Sequence, residues 1–94
     1  MIARTEGFEI SVSARDDATV QAMYVRLVDA RVTRTVEIIP DELMADYSAA
    51  GKLVGIEVLA PVKLSRVSKL VDVRRRKDFR RVMLKRAPRE LILQ

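Results

Sequence analysis

Apolar and polar positions alternate through the first half of the chain. Phe8, Ile10 and Val12 are separated by Glu9, Ser11 and Ser13, and a period of two puts one apolar face on a strand. After the turn-forming run Asp16-Asp17-Ala18-Thr19, Met23, Val25 and Leu27 alternate with Tyr24 and Arg26 and predict a second strand. A polar break at Asp29-Ala30-Arg31 precedes the segment Val32 to Ile39, which is rich in β-branched residues and predicts a third. Pro40-Asp41-Glu42 ends it, because proline has no N–H to donate to a ladder. Asp46-Tyr47, the loop Ser48-Ala49-Ala50-Gly51 and the return from Lys52 to Leu59 predict a hairpin, with Gly51 in the positive-φ position. On the return strand Val54, Ile56 and Val58 form one face and Leu53, Gly55, Glu57 and Leu59 the other. A glycine at 55 leaves room for a neighbouring ring such as Tyr24 or Tyr47.

From Pro61 the period lengthens. Pro61 suits a first helical turn, and Leu64, Val67 and Val71, then Phe79, Val82 and Met83, recur at three- and four-residue spacing. Arg75 and Asp78 interrupt a single apolar seam, which favours two helices, the second capped by Asp72, over one long helix with a polar middle. Pro88 ends the helix, and Leu91-Ile92-Leu93 is an apolar terminus able to dock on the body or on a partner. The expected fold class is α+β in a single domain. Residues 1–60 form a small antiparallel β-meander of four to five strands, and residues 61–94 a basic extension of one or two helices. One sheet cannot bury its apolar face alone, so the tail or a second subunit must cover it.

Composition narrows the chemistry. The 94 residues include no histidine and no cysteine. That removes imidazole bases, Ser-His-Asp triads, thiol nucleophiles, thiolate or imidazole metal sites and disulfides. Carboxylates, Lys, Tyr, Ser and Thr remain, and no cofactor is implied. The net charge of +5 conceals a split: six Lys/Arg against ten Asp/Glu over residues 1–60 give −4, and twelve against three over residues 61–94 give +9. An acidic body with a basic tail points to an interaction segment. Met1 to Ile10 lacks the apolar run of a signal peptide, and the longest apolar stretches fall far below the ~20 residues of a membrane span. A soluble, cytoplasmic protein of bacterial type, without a membrane partner, is expected.

Three blocks carry a family resemblance: Ala22-Met23-Tyr24-Val25-Arg26-Leu27, then Thr35-Val36-Glu37-Ile38, then Asp46-Tyr47 with Gly51-Lys52-Leu53-Val54-Gly55-Ile56-Glu57-Val58-Leu59. In order and spacing they resemble the small bacterial domain-of-unknown-function family 2283 over residues 8–60. Gln21 and Ser48 stand where that family has acids, Ala60-Pro61 replaces an Ala-Ser ending, and the basic tail lies outside the pattern. The resemblance implies a small β-rich fold, no established activity and an antitoxin-like partner role, since family members sit beside genes resembling toxins.

Two groups of residues are candidate sites. Tyr24, Arg26, Glu37 and Glu57 share one sheet face if the alternation holds. They read as a cross-strand charge cluster with Arg26 as counter-ion, worth about 0.2–1 kcal/mol per pair, and less readily, with Asp46, as the carboxylates of a small hydrolase or metal site. Asp46 at the loop start is expected to bond the turn amides. The second group is the basic run. Arg74, Lys77, Arg81 and Lys85 fall at i, i+3, i+7 and i+11, a stripe on one helix face, flanked by Arg75, Arg80 and Arg86. Thirteen Arg to five Lys favour bidentate contacts to phosphate or carboxylate. Three fates stay open for the stripe: nucleic acid, an acidic protein surface of its own or a partner chain, or plain solvation. The four aromatic residues, Phe8, Tyr24, Tyr47 and Phe79, make no stacking platform for single strands. The expected function is a non-enzymatic binding module, with a homo-oligomeric structural subunit as the alternative.

Overall fold

The computed structural model describes residues 2–5 and 7–94. Among them lie eight strands and two helices: β1 (Ile2–Thr5), β2 (Phe8–Ala14), β3 (Val20–Arg26), β4 (Arg34–Ile39), β5 (Leu43–Tyr47), β6 (Leu53–Val58), β7 (Val62–Lys63), α1 (Leu64–Ser68), α2 (Val73–Arg86) and β8 (Ile92–Leu93). The α+β class is as expected. β1 was not foreseen, and Ile2 to Thr5 shows no alternation that would have marked it.

β1 to β6 form one antiparallel sheet in the order β1-β2-β3-β6-β5-β4. The expected single meander is therefore corrected to two three-stranded meanders joined side by side, with β3 paired to β6 instead of β4. Burial explains the choice. β6 carries buried Val54, Gly55, Ile56 and Val58 and takes the centre, where both of its edges are paired. β4 exposes Arg34, Thr35 and Glu37 and takes an edge, where polar side chains and open backbone groups meet water. The segment between β3 and β4 is tied down at both ends, since Leu27 N–H donates to the Val54 carbonyl at 2.7 Å and Thr33 N–H to the Tyr47 carbonyl at 2.9 Å.

The β5–β6 hairpin closes where Gly51 adopts φ +81°, a conformation available to glycine without a Cβ penalty. Its tie is not the expected Asp46. The Ser48 hydroxyl accepts from Lys52 N–H at 3.2 Å and supplies the turn contact.

The tail covers the sheet. Phe8, Ile10, Met23, Val25, Leu43, Ile56 and Val58 on one face form a single buried cluster with Val67, Val71, Phe79, Val82 and Met83 from the helices. Phe8 and Phe79 meet edge to face, with ring centroids 5.6 Å apart. Two helices form, as the interrupted seam predicts. Asp72 caps α2, its carboxylate accepting from Arg74 N–H at 2.9 Å, which satisfies one of the open amides of the first turn. α1 starts at Leu64, later than Pro61 suggests, because Val62 and Lys63 form β7 and pair in parallel with β8. That pairing docks the apolar terminus on the body, with Leu91 and Ile92 buried. Neither helix is long and apolar enough to cross a membrane.

Candidate functional site

The 14 residues of α2 sort by side. Phe79, Val82 and Met83 are buried against the sheet, and Arg74, Lys77, Arg81 and Lys85 are exposed on the opposite side. At 1.5 Å per residue the four Cα positions run over about 16 Å. Two tail acids stand beside the stripe. Arg74 donates to both carboxylate oxygens of Asp72, at 3.4 and 3.1 Å, and Arg81 lies 3.0 Å from Asp78. The side-chain and backbone bonds from Arg74 hold the Asp72 carboxyl below the ordinary carboxylate range, and Asp72 in turn holds Arg74 still more firmly protonated.

The remaining arginines of the run differ from one another. Arg80 and Arg86 are exposed, Arg80 within 3.4 Å of the Ser68 hydroxyl. Arg75 is turned inward and half-buried. Its guanidinium stacks over the Phe8 ring at 4.4 Å and donates to the Leu27 carbonyl at 2.8 Å. This corrects its expected place among the contact residues: a side chain on the flank of the buried face is captured by the nearest ring and carbonyl. Arg76 is likewise structural. It donates to the carbonyls of Ser68 at 3.0 Å and Val71 at 2.9 Å, closing the chain between the two helices.

The face of the sheet turned away from the helices carries the second group. The register aligns Tyr24, Glu57, Met44 and Glu37 across β3, β6, β5 and β4. Glu37 and Glu57 share that face as expected, but β5 lies between them, and two strand spacings separate them by about 10 Å. Glu57 lines a hollow of about 260 Å³ with Ser11 and Tyr24, and neither Glu37 nor Asp46 contributes to its lining. Arg26 is not their counter-ion. It donates to the Ala30 carbonyl at 3.0 Å and lies 3.5 Å from Asp29.

The residues that do converge are Tyr24, Asp46 and Thr35. The Tyr24 hydroxyl donates to Asp46 Oδ2 at 2.9 Å, and the Thr35 hydroxyl to Oδ1 at 2.6 Å. Gly55 makes this possible, because a Cβ at that position would overlap the Tyr24 phenol. The β3–β6 pairing was the missing signal, since Gly55 predicts a ring overhead without saying whose ring it is.

Burial, and then the bond to Asp46, push the Tyr24 phenol up to about 12 from an ordinary 10.0. The unfolded chain therefore loses this proton before the folded one. The stability tied to the neutral phenol is whole below pH 10 and falls as the pH rises through 12. In a Tyr47→Phe background, ultraviolet titration is expected to show tyrosinate forming around pH 12 in the folded protein. In urea the midpoint returns to about 10. An ordinary midpoint in the folded protein would show that the ring does not lie against Asp46.

Residues 17–60 match the sequence model of a family described as a protein of unknown function (DUF2283). The match covers β3 to β6 and leaves β1, β2 and the basic tail outside it. No curated protein and no solved structure matches the chain.

Proposed function

We propose that this chain is a non-enzymatic binding module that presents the outer face of α2 to an acidic protein surface. One observation carries the reading: α2 buries its apolar residues in the core and leaves Arg74, Lys77, Arg81 and Lys85 together in water. Arg74 and Arg81 are paired with Asp72 and Asp78, and exposed Lys77 and Lys85 keep the face positive. An acidic partner matches that charge.

Asp72 and Asp78 favour a protein over a nucleic acid. Within the stripe they lower its pull on the uniform charge of a stiff duplex, whereas a flexible peptide can place its carboxylates between them. On the sheet face, the separation of Glu37 from Glu57 and the double bonding of Asp46 support a binding module over a hydrolase.

The test is fluorescence anisotropy of the full chain with a labelled poly-glutamate peptide and, separately, a labelled DNA duplex. The peptide is expected to bind more tightly than the duplex and to weaken steeply as salt rises from about 50 to about 200 mM. A Lys77→Glu/Arg81→Glu/Lys85→Glu variant is expected to fold normally by circular dichroism and to lose at least tenfold in affinity, about 1.4 kcal/mol. Unchanged binding by this variant, or tighter binding of the duplex, refutes the proposal. Light scattering without peptide covers the homo-oligomer reading: assembly that dissolves with added salt would make a second copy the partner.

A further inference from the structure

The stripe ends at a cleft. Where the β5–β6 hairpin faces the junction of α1 and α2, a depression of about 490 Å³ opens beside Arg74, within the 300–1,000 Å³ range of small-ligand pockets. Its floor includes half-buried Val28, Tyr47, Leu53 and Leu70. Lys52 and Arg74 stand at its rim, both exposed. Asp72 also lines it, but that carboxylate is engaged by the α2 amide and the Arg74 guanidinium.

We infer that this cleft receives an apolar side chain of the acidic segment that α2 binds, so that the partner motif is one apolar residue at one end of a short run of carboxylates. The inference rests on the reading of α2 as an acidic-protein site. Arg74 belongs to both features, which makes stripe and cleft one continuous surface. About five residues of extended chain, at roughly 3.3 Å each, span the distance from Arg74 to Lys85. A segment lying along the stripe therefore places its next residue over the apolar floor. Charge complementarity selects the occupant: an apolar side chain alone would leave Lys52 at the rim unmatched, and a carboxylate alone would leave the floor wet. The depression at the edge of β2 and β3 offers no such combination. Its rim charges already pair, Arg4 with Glu9 at 2.8 Å and Arg26 with Asp29 at 3.5 Å.

Two labelled peptides test this on the full chain: Leu followed by five Glu, and Ser followed by five Glu. The first is expected to bind about tenfold tighter than the second, the effect of burying one leucine. Nuclear magnetic resonance is expected to show the methyl signals of Val28, Leu53 and Leu70 moving with the first peptide and not with the second. Lys52→Glu, an exposed loop change, is expected to weaken the first peptide severalfold. Leu70→Ser, checked for folding by circular dichroism, is expected to remove the preference for leucine.

Equal affinity for the Leu and Ser peptides, with both lost in the Lys77→Glu/Arg81→Glu/Lys85→Glu variant, overturns the cleft and leaves the stripe standing. Equal binding of both peptides by that variant and the parent overturns the reading of α2 itself. Dimers that form without peptide and dissolve in Leu70→Ser would assign the cleft to a second copy and refute the inference.

Discussion

Phe79→Ala is expected to remove about 3–5 kcal/mol of stability, the usual effect of deleting a fully buried ring. Phe79 has no accessible surface, and its ring meets the equally enclosed Phe8 edge to face at 5.6 Å. Truncation leaves a cavity and withdraws the packing on which Phe8 rests. The guanidinium of Arg75, 4.4 Å from the Phe8 centroid, then holds α2 to β2 over a gap. Domains of this kind have only about 5–15 kcal/mol in total, so the variant is expected to stand near its unfolding threshold. Each kcal/mol moves the melting temperature of a chain this size by about 4–8 °C. Urea unfolding followed by circular dichroism measures the effect, with Leu84→Ala on the exposed side of α2 as the control, expected within about 0.5 kcal/mol of the parent. A loss below about 1 kcal/mol for Phe79→Ala would mean that α2 is not seated on the sheet.

Gly55→Ala is expected to destabilise by about 2–4 kcal/mol, combining overpacking with the loss of one hydrogen bond. The sign is informative. Backbone entropy alone makes alanine better than glycine in a strand by about 0.5–1 kcal/mol, so a large loss has to come from what lies over residue 55. An added Cβ would overlap the Tyr24 phenol. β6 sits between β3 and β5 and cannot move aside without breaking pairing on both edges. The ring must lift, and its hydroxyl then leaves Asp46. Tyr24→Ser in the same chain removes the collision, so the double variant is expected to be less destabilised than the sum of the singles by about 1 kcal/mol or more. Strict additivity in this cycle would refute the assigned geometry.

Strand positions were legible because alternation is a local property. The half-polar segments at Phe8, Met23 and Lys52, and the proline at 40, need no partner to declare themselves. The break between the helices was legible for a related reason, since Arg75 and Asp78 interrupt an apolar seam and Asp72 suits a cap. The chain-local reading failed where several strands compete for the same edge. Nothing in β3 states that its neighbour is β6 instead of β4, and that choice follows from the burial that β6 gains with both edges paired.

The same distinction runs through the candidate sites. The stripe of Arg74, Lys77, Arg81 and Lys85 was visible as a spacing, because a helix converts spacing into direction. Arg75 was not separable from it in sequence; the proximity of the Phe8 ring and the Leu27 carbonyl drew it inward. Tyr24, Asp46 and Thr35 come from three strands and meet only after β6 and β5 are laid beside β3. The cleft beside Arg74 needs a hairpin and a helix junction to face each other across the fold.

The sequence by itself determined an acidic, alternating body, a basic helical tail and the absence of imidazole and thiol chemistry. Periodicity, turn chemistry and composition act over a few residues and require no knowledge of distant neighbours. Only the tertiary structure decided that the tail covers its own sheet, which arginines remain in water and which carboxylate the Tyr24 hydroxyl reaches. Those outcomes depend on which apolar surfaces exclude water together, and that is a property of the packed chain.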